Sequence, residues 1–231
     1  DGVGGAGMTV KIGPYELDSI VTGDCRELAA ALPDESVDLV FTDPPYHDEF
    51  VGLYGDLAAI AARVLKPGGF CFAYAGIAYL TDIFRQMGDS LDYFWTICGY
   101  QPESNQVFNA KNVGCHWRPV LLFSKGAKRA PSFFGDTWRT NREKQFHEWG
   151  QGESLPTRYI DLFTKPGAIV LDPFIGGGTT GVVCRKLGRH FIGFEMDELR
   201  ANVARQRLHN TQVPLFVPEP EQAPMFAEVA A

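Results

Sequence analysis

The stretch AIVLDPFIGGGTTGVVCRKLGRHFIGFE, residues 168–195, decides how this chain is read. Ala168–Asp172 is an apolar run of strand length. It breaks at Pro173 and at three consecutive glycines, resumes as a helix over Thr180–Leu187, and enters a second apolar strand, His190–Glu195. A strand, a turn, a helix and a second strand form a unit that needs a parallel sheet, and such sheets bind ligands beyond the carboxyl ends of their strands. Glycines at that end let a ligand approach the backbone where a Cβ would obstruct it. The amides opening the helix, with the Thr179 and Thr180 hydroxyls, suit a carboxylate or a phosphate. Glu195, at the end of the second strand, is placed to accept hydrogen bonds from a ribose diol. Together these features imply a nucleoside-bearing cofactor. Gly176-x-Gly178-x-x-Gly181 also matches the dinucleotide fingerprint, so a dehydrogenase stays open on this stretch alone.

Outward from here the alternation continues. Upstream, the spacing predicts strands at Asp18–Asp24, Val37–Asp43, Phe70–Tyr74, Tyr93–Gly99 and Arg118–Ser124. Helices fall at Arg26–Leu32, Asp56–Leu65, near Ile77–Met87 and near Ser154–Phe163, and Asp197–Leu208 closes the body. The prolines and glycines of KPGG, after Leu65, are expected to end a helix and turn the chain. Gly126–Gly152 loses periodicity and reads as loops. The expected fold is α/β, a doubly wound, mostly parallel sheet.

The second unusual motif is DPPY, Asp43–Tyr46, at the end of the strand VDLVFTD. Pro44 and Pro45 hold the backbone extended. This keeps the Asp43 carboxylate and the Pro44 carbonyl together as two acceptors, with the flat ring of Tyr46 beside them. An arylamine nitrogen is a poor nucleophile because its lone pair is delocalised into the ring. Two acceptors gripping its hydrogens favour a pyramidal nitrogen, and Asp43 stabilises the positive charge that develops on alkylation. The Tyr46 ring would hold a base by stacking. Paired with the glycine turn, this motif favours methyl transfer over hydride transfer.

Composition sets the outer bounds. The chain has 231 residues, 45% hydrophobic and 21% charged, which is ordinary for a globular protein. No apolar run is long enough for a membrane span, and the start lacks a signal-peptide pattern. Five scattered cysteines read as reduced cytoplasmic thiols, and no metal constellation is found. Net charge is −7, unevenly spread. Asn105–His147 holds eight Lys/Arg against two acids, a net of +6 that leaves −13 on the remainder. Its Lys111, Arg118, Lys128, Arg129, Arg139 and Arg142 are the candidate DNA contacts. His47 reads as a solvated neighbour of DPPY, Cys25 as a small apolar residue, and Trp117, Trp138 and Trp149 as packing anchors.

From about Ile20 to Leu208 the chain resembles the DNA amino-methyltransferases, which act on adenine N6 or cytosine N4. The likeness rests on GDCRELAAALPDESVDLVFTDPPY, RVLKPGG, WRPVLLFSKG and KPGAIVLDPFIGGGTTGVVCRKLGRHFIGFEMDE. The catalytic motif precedes the cofactor motif, as in the family's beta group, whose sheet is a circular permutation of the common S-adenosylmethionine-dependent methyltransferase sheet. The resemblance implies that Asp43, Pro44, Pro45 and Tyr46 form the catalytic loop. It implies that Asp172, Phe174, Gly176, Gly178, Thr179 and Thr180 line the methionine end of S-adenosylmethionine. Glu195 would take the ribose, and Asp24 would accept from the cofactor's adenine amine.

The implied organisation is a tag or upstream extension (1–7), a catalytic half (8–104), a basic target-recognition insert (105–150), a cofactor half (151–210) and a flexible tail (211–231). The implied activity is site-specific methylation of a flipped base in double-stranded DNA, at adenine N6. Cytosine N4 uses the same machinery and is the alternative, but its loop typically resembles SPPY, so Asp43 favours adenine; an inactive cofactor-binding module is a further alternative. A homodimer and a cognate restriction nuclease are further partners this reading allows. The setting would be a bacterial or phage-encoded, cytoplasmic enzyme. Gly150–Phe163 departs from the HPTQKP-like stretch common in the beta group, and Gly177 stands where serine is frequent.

Overall fold

A computed structural model describes residues 10–102, 104, 106–139 and 152–212. Residues 1–7, Arg142, Lys144, Trp149 and the tail beyond 212 lie outside them.

Eight strands form the central sheet: β1 (Ser19–Thr22), β2 (Val37–Thr42), β3 (Leu65–Tyr74), β4 (Asp92–Tyr100), β5 (Trp117–Ser124), β6 (Thr137–Arg139), β7 (Ile169–Asp172) and β8 (His190–Glu195). Their order across the sheet is β6-β4-β5-β3-β2-β7-β8-β1. Within it β5 alone runs antiparallel to its neighbours, β3 and β4; every other pairing is parallel.

Strand alternation divides the core into two layers. Val40, Cys71, Ala73, Leu121, Phe123, Leu171 and Phe194 face one side. There they meet α1 (Cys25–Ala30), α2 (Leu53–Val64) and α3 (Leu80–Gly88) through Ala29, Leu57, Ala61, Ile83 and Met87. Leu39, Phe41, Phe72, Val120, Leu122, Val170 and Phe191 face the other side. There they meet α4 (Ser154–Phe163), α5 (Thr179–Lys186) and α6 (Glu198–His209) through Tyr159, Ile160, Val183, Ala204 and Leu208. The α/β doubly wound reading is therefore correct.

The order also locates the ligand crevice. From β2 the chain continues to its neighbour β3 on one side; from β7 it continues to β8 on the other. β2 and β7 are adjacent, pairing Leu39 with Val170 and Val40 with Leu171. Where connections leave two neighbouring strands in opposite directions, a crevice opens beyond their carboxyl ends. The DPPY and glycine motifs begin at those two ends.

Three elements depart from the sequence reading. KPGG does not sit outside a strand: β3 begins at Leu65, and Gly68 and Gly69 exchange backbone hydrogen bonds with Lys125. Gly68 takes φ +81° here, so the run bends without leaving the sheet. Inside the expected loops, β6 pairs with β4. A small hairpin, Gln106–Phe108 with Val113–Cys115, follows β4. These strands have three residues each, too few for their alternation to stand out.

Candidate active site

The glycine turn is fixed from several directions. Ile175 donates its amide to Phe194 O at 3.0 Å, and Gly178 donates to Ile175 O at 2.8 Å. Beneath it, Gly193 of β8 leaves room for Ile175, whose Cδ1 would lie 2.1 Å from a Cβ at that position. Gly178 turns the chain into α5 at φ +81°. Gly176 and Gly177 have open space where a Cβ would stand, with nothing closer than 3.9 Å. The turn thus offers bare backbone to the crevice, the feature an amino-acid-bearing cofactor needs.

Glu195 reaches back to this turn. It accepts the Gly176 amide at 3.0 Å and the Asp197 amide at 3.0 Å, so its carboxylate is held at the end of β8. Next to it, at the end of β1, Gly23 donates to Glu195 O at 2.9 Å. Asp24 follows as the N-cap of α1, accepting from Arg26 N at 2.9 Å and from the Arg26 guanidinium. The Arg26 side-chain and backbone hydrogen bonds hold the Asp24 carboxyl below its ordinary range. Glu195 and Asp24 therefore stand on neighbouring strand ends, both acceptors, with Asp24 already engaged by Arg26.

Asp172 behaves differently from the residues grouped with it in sequence. It is buried, and it accepts from Thr42 Oγ1 at 2.6 Å and from Phe174 N at 3.1 Å. Burial pushes its carboxyl up to about 6, against hydrogen bonds from Thr180, Thr42 and Phe174 that pull it down. Its bonds join the ends of β2 and β7 and brace the turn. Thr180 is likewise buried. Phe174 and Thr179 remain half-exposed beside the turn.

At the end of β2, Pro44 is buried and Asp43, Pro45 and Tyr46 are half-exposed. The Tyr46 hydroxyl donates to Asp43 Oδ1. Burial, with the Asp43 charge next in effect, pushes the Tyr46 phenol well above its ordinary range, so it stays protonated and donates. Tyr46, Gly76, Tyr79, Phe108, Trp117 and Arg118 line one cleft beside this loop. His47 is exposed. Trp138 is stacked under Arg158, 4.7 Å from its ring centroid, while Trp117 does reach the cleft. Cys25 is buried, and burial pushes its thiol up to about 11.

The basic insert does not form one surface. Lys111, Arg118 and Arg139 lie toward the carboxyl edge, near the ends of β4 and β6 and the start of β5. Because β5 runs antiparallel, its last residue, Ser124, pairs with Phe70 toward the other edge. There Lys125 donates to Leu65 O at 2.8 Å and meets Glu35 at 3.1 Å. Lys128 and Arg129 follow in that loop, both exposed. They are thus set apart from Lys111 and Arg139: the reversal of β5 carries them toward the edge opposite Asp43.

One feature had no sequence signal. Arg207 of α6 donates to Gly177 O and Thr179 Oγ1, each at 3.0 Å, and to Glu153 Oε1 at 3.0 Å. Glu153 also meets Lys186 at 2.5 Å. The atypical segment before α4 is thereby tied to the glycine turn. A helix that closes a domain gives no hint that one of its arginines faces a turn thirty residues earlier.

Among the described residues, no group of three or more His, Cys, Asp or Glu side chains could hold a metal ion, and no helix is long and apolar enough to cross a membrane.

A doubly wound sheet with a proline-locked acceptor loop and a bare glycine turn across its switch point defines an amino-methyltransferase. Matching over residues 37–206, the chain belongs to the N6/N4 DNA methylase family, and its motif order places it in the beta group. Type II methyltransferase M.HinfI of Haemophilus influenzae is 29% identical over 248 residues, 83% of this chain and 68% of that enzyme. Type II methyltransferase M.BglII of Bacillus subtilis is 28% identical over 250 residues, 83% of this chain and 69% of the relative. Among solved structures, TTHA0409 of Thermus thermophilus in complex with S-adenosyl-L-methionine superposes with a TM-score of 0.71. It is 24% identical, over 86% of this chain and 95% of that one. The cytosine-N4-specific PvuII DNA methyltransferase has a TM-score of 0.74 at 21% identity, over 89% of each chain. The chain is a DNA methyltransferase of this family, and its methyl donor is S-adenosylmethionine.

Proposed function

We propose that this enzyme methylates N6 of adenine extruded from double-stranded DNA. The observation that carries this reading is the Asp43 carboxylate at the end of β2, tied through Thr42 and Asp172 to the neighbouring cofactor strand. In the family's N4-cytosine members the loop typically opens with serine instead. S-adenosylmethionine supplies an electrophilic methyl group on a sulfonium. The bare backbone of Gly176 and Gly177, with Thr179, would receive its methionine end, and Glu195 its ribose. Phe174 lies beside that turn, and Asp24 is placed for the adenine.

At the acceptor end the residues have distinct tasks. Asp43 and the Pro44 carbonyl accept from the exocyclic amine and orient its lone pair. As the nitrogen–carbon bond forms and the methyl–sulfur bond breaks, its electron pair staying on sulfur as a neutral thioether, Asp43 would stabilise the developing positive charge, and the amine's extra proton would leave past this carboxylate to solvent. Pro45 keeps the loop extended, and the Tyr46 ring stacks on the base. For the amine to reach Asp43 Oδ1, the Tyr46 hydroxyl must share or yield that oxygen, which a carboxylate's several acceptor positions allow. Lys111 and Arg139 are suited to phosphates on the same edge, and the recognition role assigned to residues 105–150 narrows to that side.

Mass spectrometry of nucleosides from DNA methylated by the purified enzyme tests the assignment. N6-methyladenine is expected. N4-methylcytosine alone would replace adenine with cytosine and leave the rest of the site reading intact.

A further inference from the structure

By sequence, Arg118 is one more cation of the insert. In the fold it is set apart from the exposed Lys111 and Arg139, because its side chain is half-buried in the cleft that Tyr46 also lines. Its guanidinium carbon lies 5.1 Å from the centroid of the Tyr46 ring, within cation–π range. The backbone of the same tyrosine is wedged elsewhere. A Cβ on Gly76 would stand 3.3 Å from Tyr46 O and 3.4 Å from Tyr46 Cβ, so the chain at Gly76 packs tightly against it. Tyr46 is thus located through its backbone by Gly76 and on a ring face by Arg118. Burial works against the guanidinium's charge, but neighbouring acidic groups, the Asp43 carboxylate among them, outweigh that effect and hold its pKa above the ordinary arginine value.

We propose that Arg118 is a positioning residue of the target-base pocket, where its guanidinium braces the Tyr46 ring so that an extruded base meets a stacking surface already in place. The inference rests on the functional reading above. A planar guanidinium suits this task better than a lysine ammonium, which cannot lie flat on a ring. A brace of this kind acts on the base through Tyr46, although its charge also lies near Asp43. It should influence neither cofactor affinity nor the long-range attraction of DNA.

The test is a double-mutant cycle on single-turnover methyl transfer to duplex DNA. Wild type, Arg118→Met, Tyr46→Ala and the double variant are compared, with S-adenosylmethionine affinity and the salt dependence of DNA binding measured for each. Arg118→Met should slow transfer about tenfold in the wild-type background. In the Tyr46→Ala background it should cost less than about twofold, with the salt slope unchanged. Cofactor affinity should stay constant and so report correct folding. If Arg118→Met does not bind the cofactor, Arg118→Lys runs the same cycle, with a smaller slowing that again vanishes without the Tyr46 ring. Equal slowing in both backgrounds would overturn the proposal. A salt slope reduced by about one would return Arg118 to the phosphates. An active wild type without this coupling removes the inference alone, whereas a wild type that methylates no DNA removes the functional reading and the inference with it.

Discussion

Asp43 and Tyr46 are adjacent in the same loop but should fail differently when replaced. In the proposed mechanism Asp43 acts on the reacting nitrogen, so Asp43→Ala should lose nearly all turnover while calorimetry shows S-adenosylmethionine still bound. Tyr46 is proposed to hold the base. Its loss removes a stack worth about 1–3 kcal/mol, so Tyr46→Ala should slow single-turnover transfer by roughly one to two powers of ten. Tyr46→Phe keeps the ring and should be milder; an inactive Tyr46→Phe would shift the tyrosine's role to the hydroxyl that touches Asp43. Asp172 has a pH signature instead. Its ordinary value is 3.8 and the fold raises it to about 6, so the folded state holds its proton more tightly than the unfolded chain. The stability this contributes is full below about 4 and is lost as pH rises through about 6. Urea titrations across that window should show the advantage of wild type over Asp172→Asn shrinking as pH rises. The sequence pointed to Asp43, Tyr46 and Glu195 as candidates because each sits at a strand end beside proline, glycine or a family motif. It did not reveal that Asp172 faces inward, since the direction of a carboxylate at a strand end depends on partners, here Thr42, far away in the chain.

Among the elements, the glycine turn and α6 form a unit that no local pattern announces. Glu195→Ala removes the acceptor for the Gly176 and Asp197 amides as well as the proposed ribose contact. Calorimetry should therefore show marked loss of S-adenosylmethionine binding, and unchanged binding would take Glu195 out of the site. Arg207→Met should give a smaller, parallel loss, because it frees Gly177 O, Thr179 Oγ1 and Glu153 without touching the cofactor's proposed position. Gly181 is a control of another kind. A Cβ there would stand 2.9 Å from the Phe191 ring and 3.1 Å from Leu208, deep between α5 and β8. Gly181→Ala should cost stability by about 1–3 kcal/mol in denaturant titrations, for reasons of packing. The longer strands and helices were readable because four or more residues of alternation or several helical turns stand above noise. β6 and the hairpin at Gln106–Cys115 were not, since their pairing is decided by the edges they add to rather than by their own three-residue runs.

For the whole molecule, the acidic body and the divided basic insert make a prediction about salt. Cations at the carboxyl edge can meet the phosphates of a duplex engaged there, while those at the opposite edge cannot reach the same duplex segment. Alanine at Lys111 and Arg139 together should flatten the log–log salt dependence of DNA binding by about two. The same change at Lys128 and Arg129 should leave it unaltered, and the reverse pattern would place the DNA on the far edge. Sequence showed the charge but not its division, because the antiparallel course of β5 is a property of the assembled sheet. The adjacency of β2 and β7 reaches into the biosynthesis of the protein. The bond from Thr42 to Asp172 joins residues 130 apart, so β2 emerges from the ribosome long before its neighbour. At about 5–20 residues per second the wait is roughly 7–26 seconds. Through that interval β2 keeps one hydrogen-bonding edge open, and nascent chains crowded on one message are exposed to pairing with each other. The enzyme's yield in cells should thus depend on translation pace and on chaperones that shield a half-built sheet.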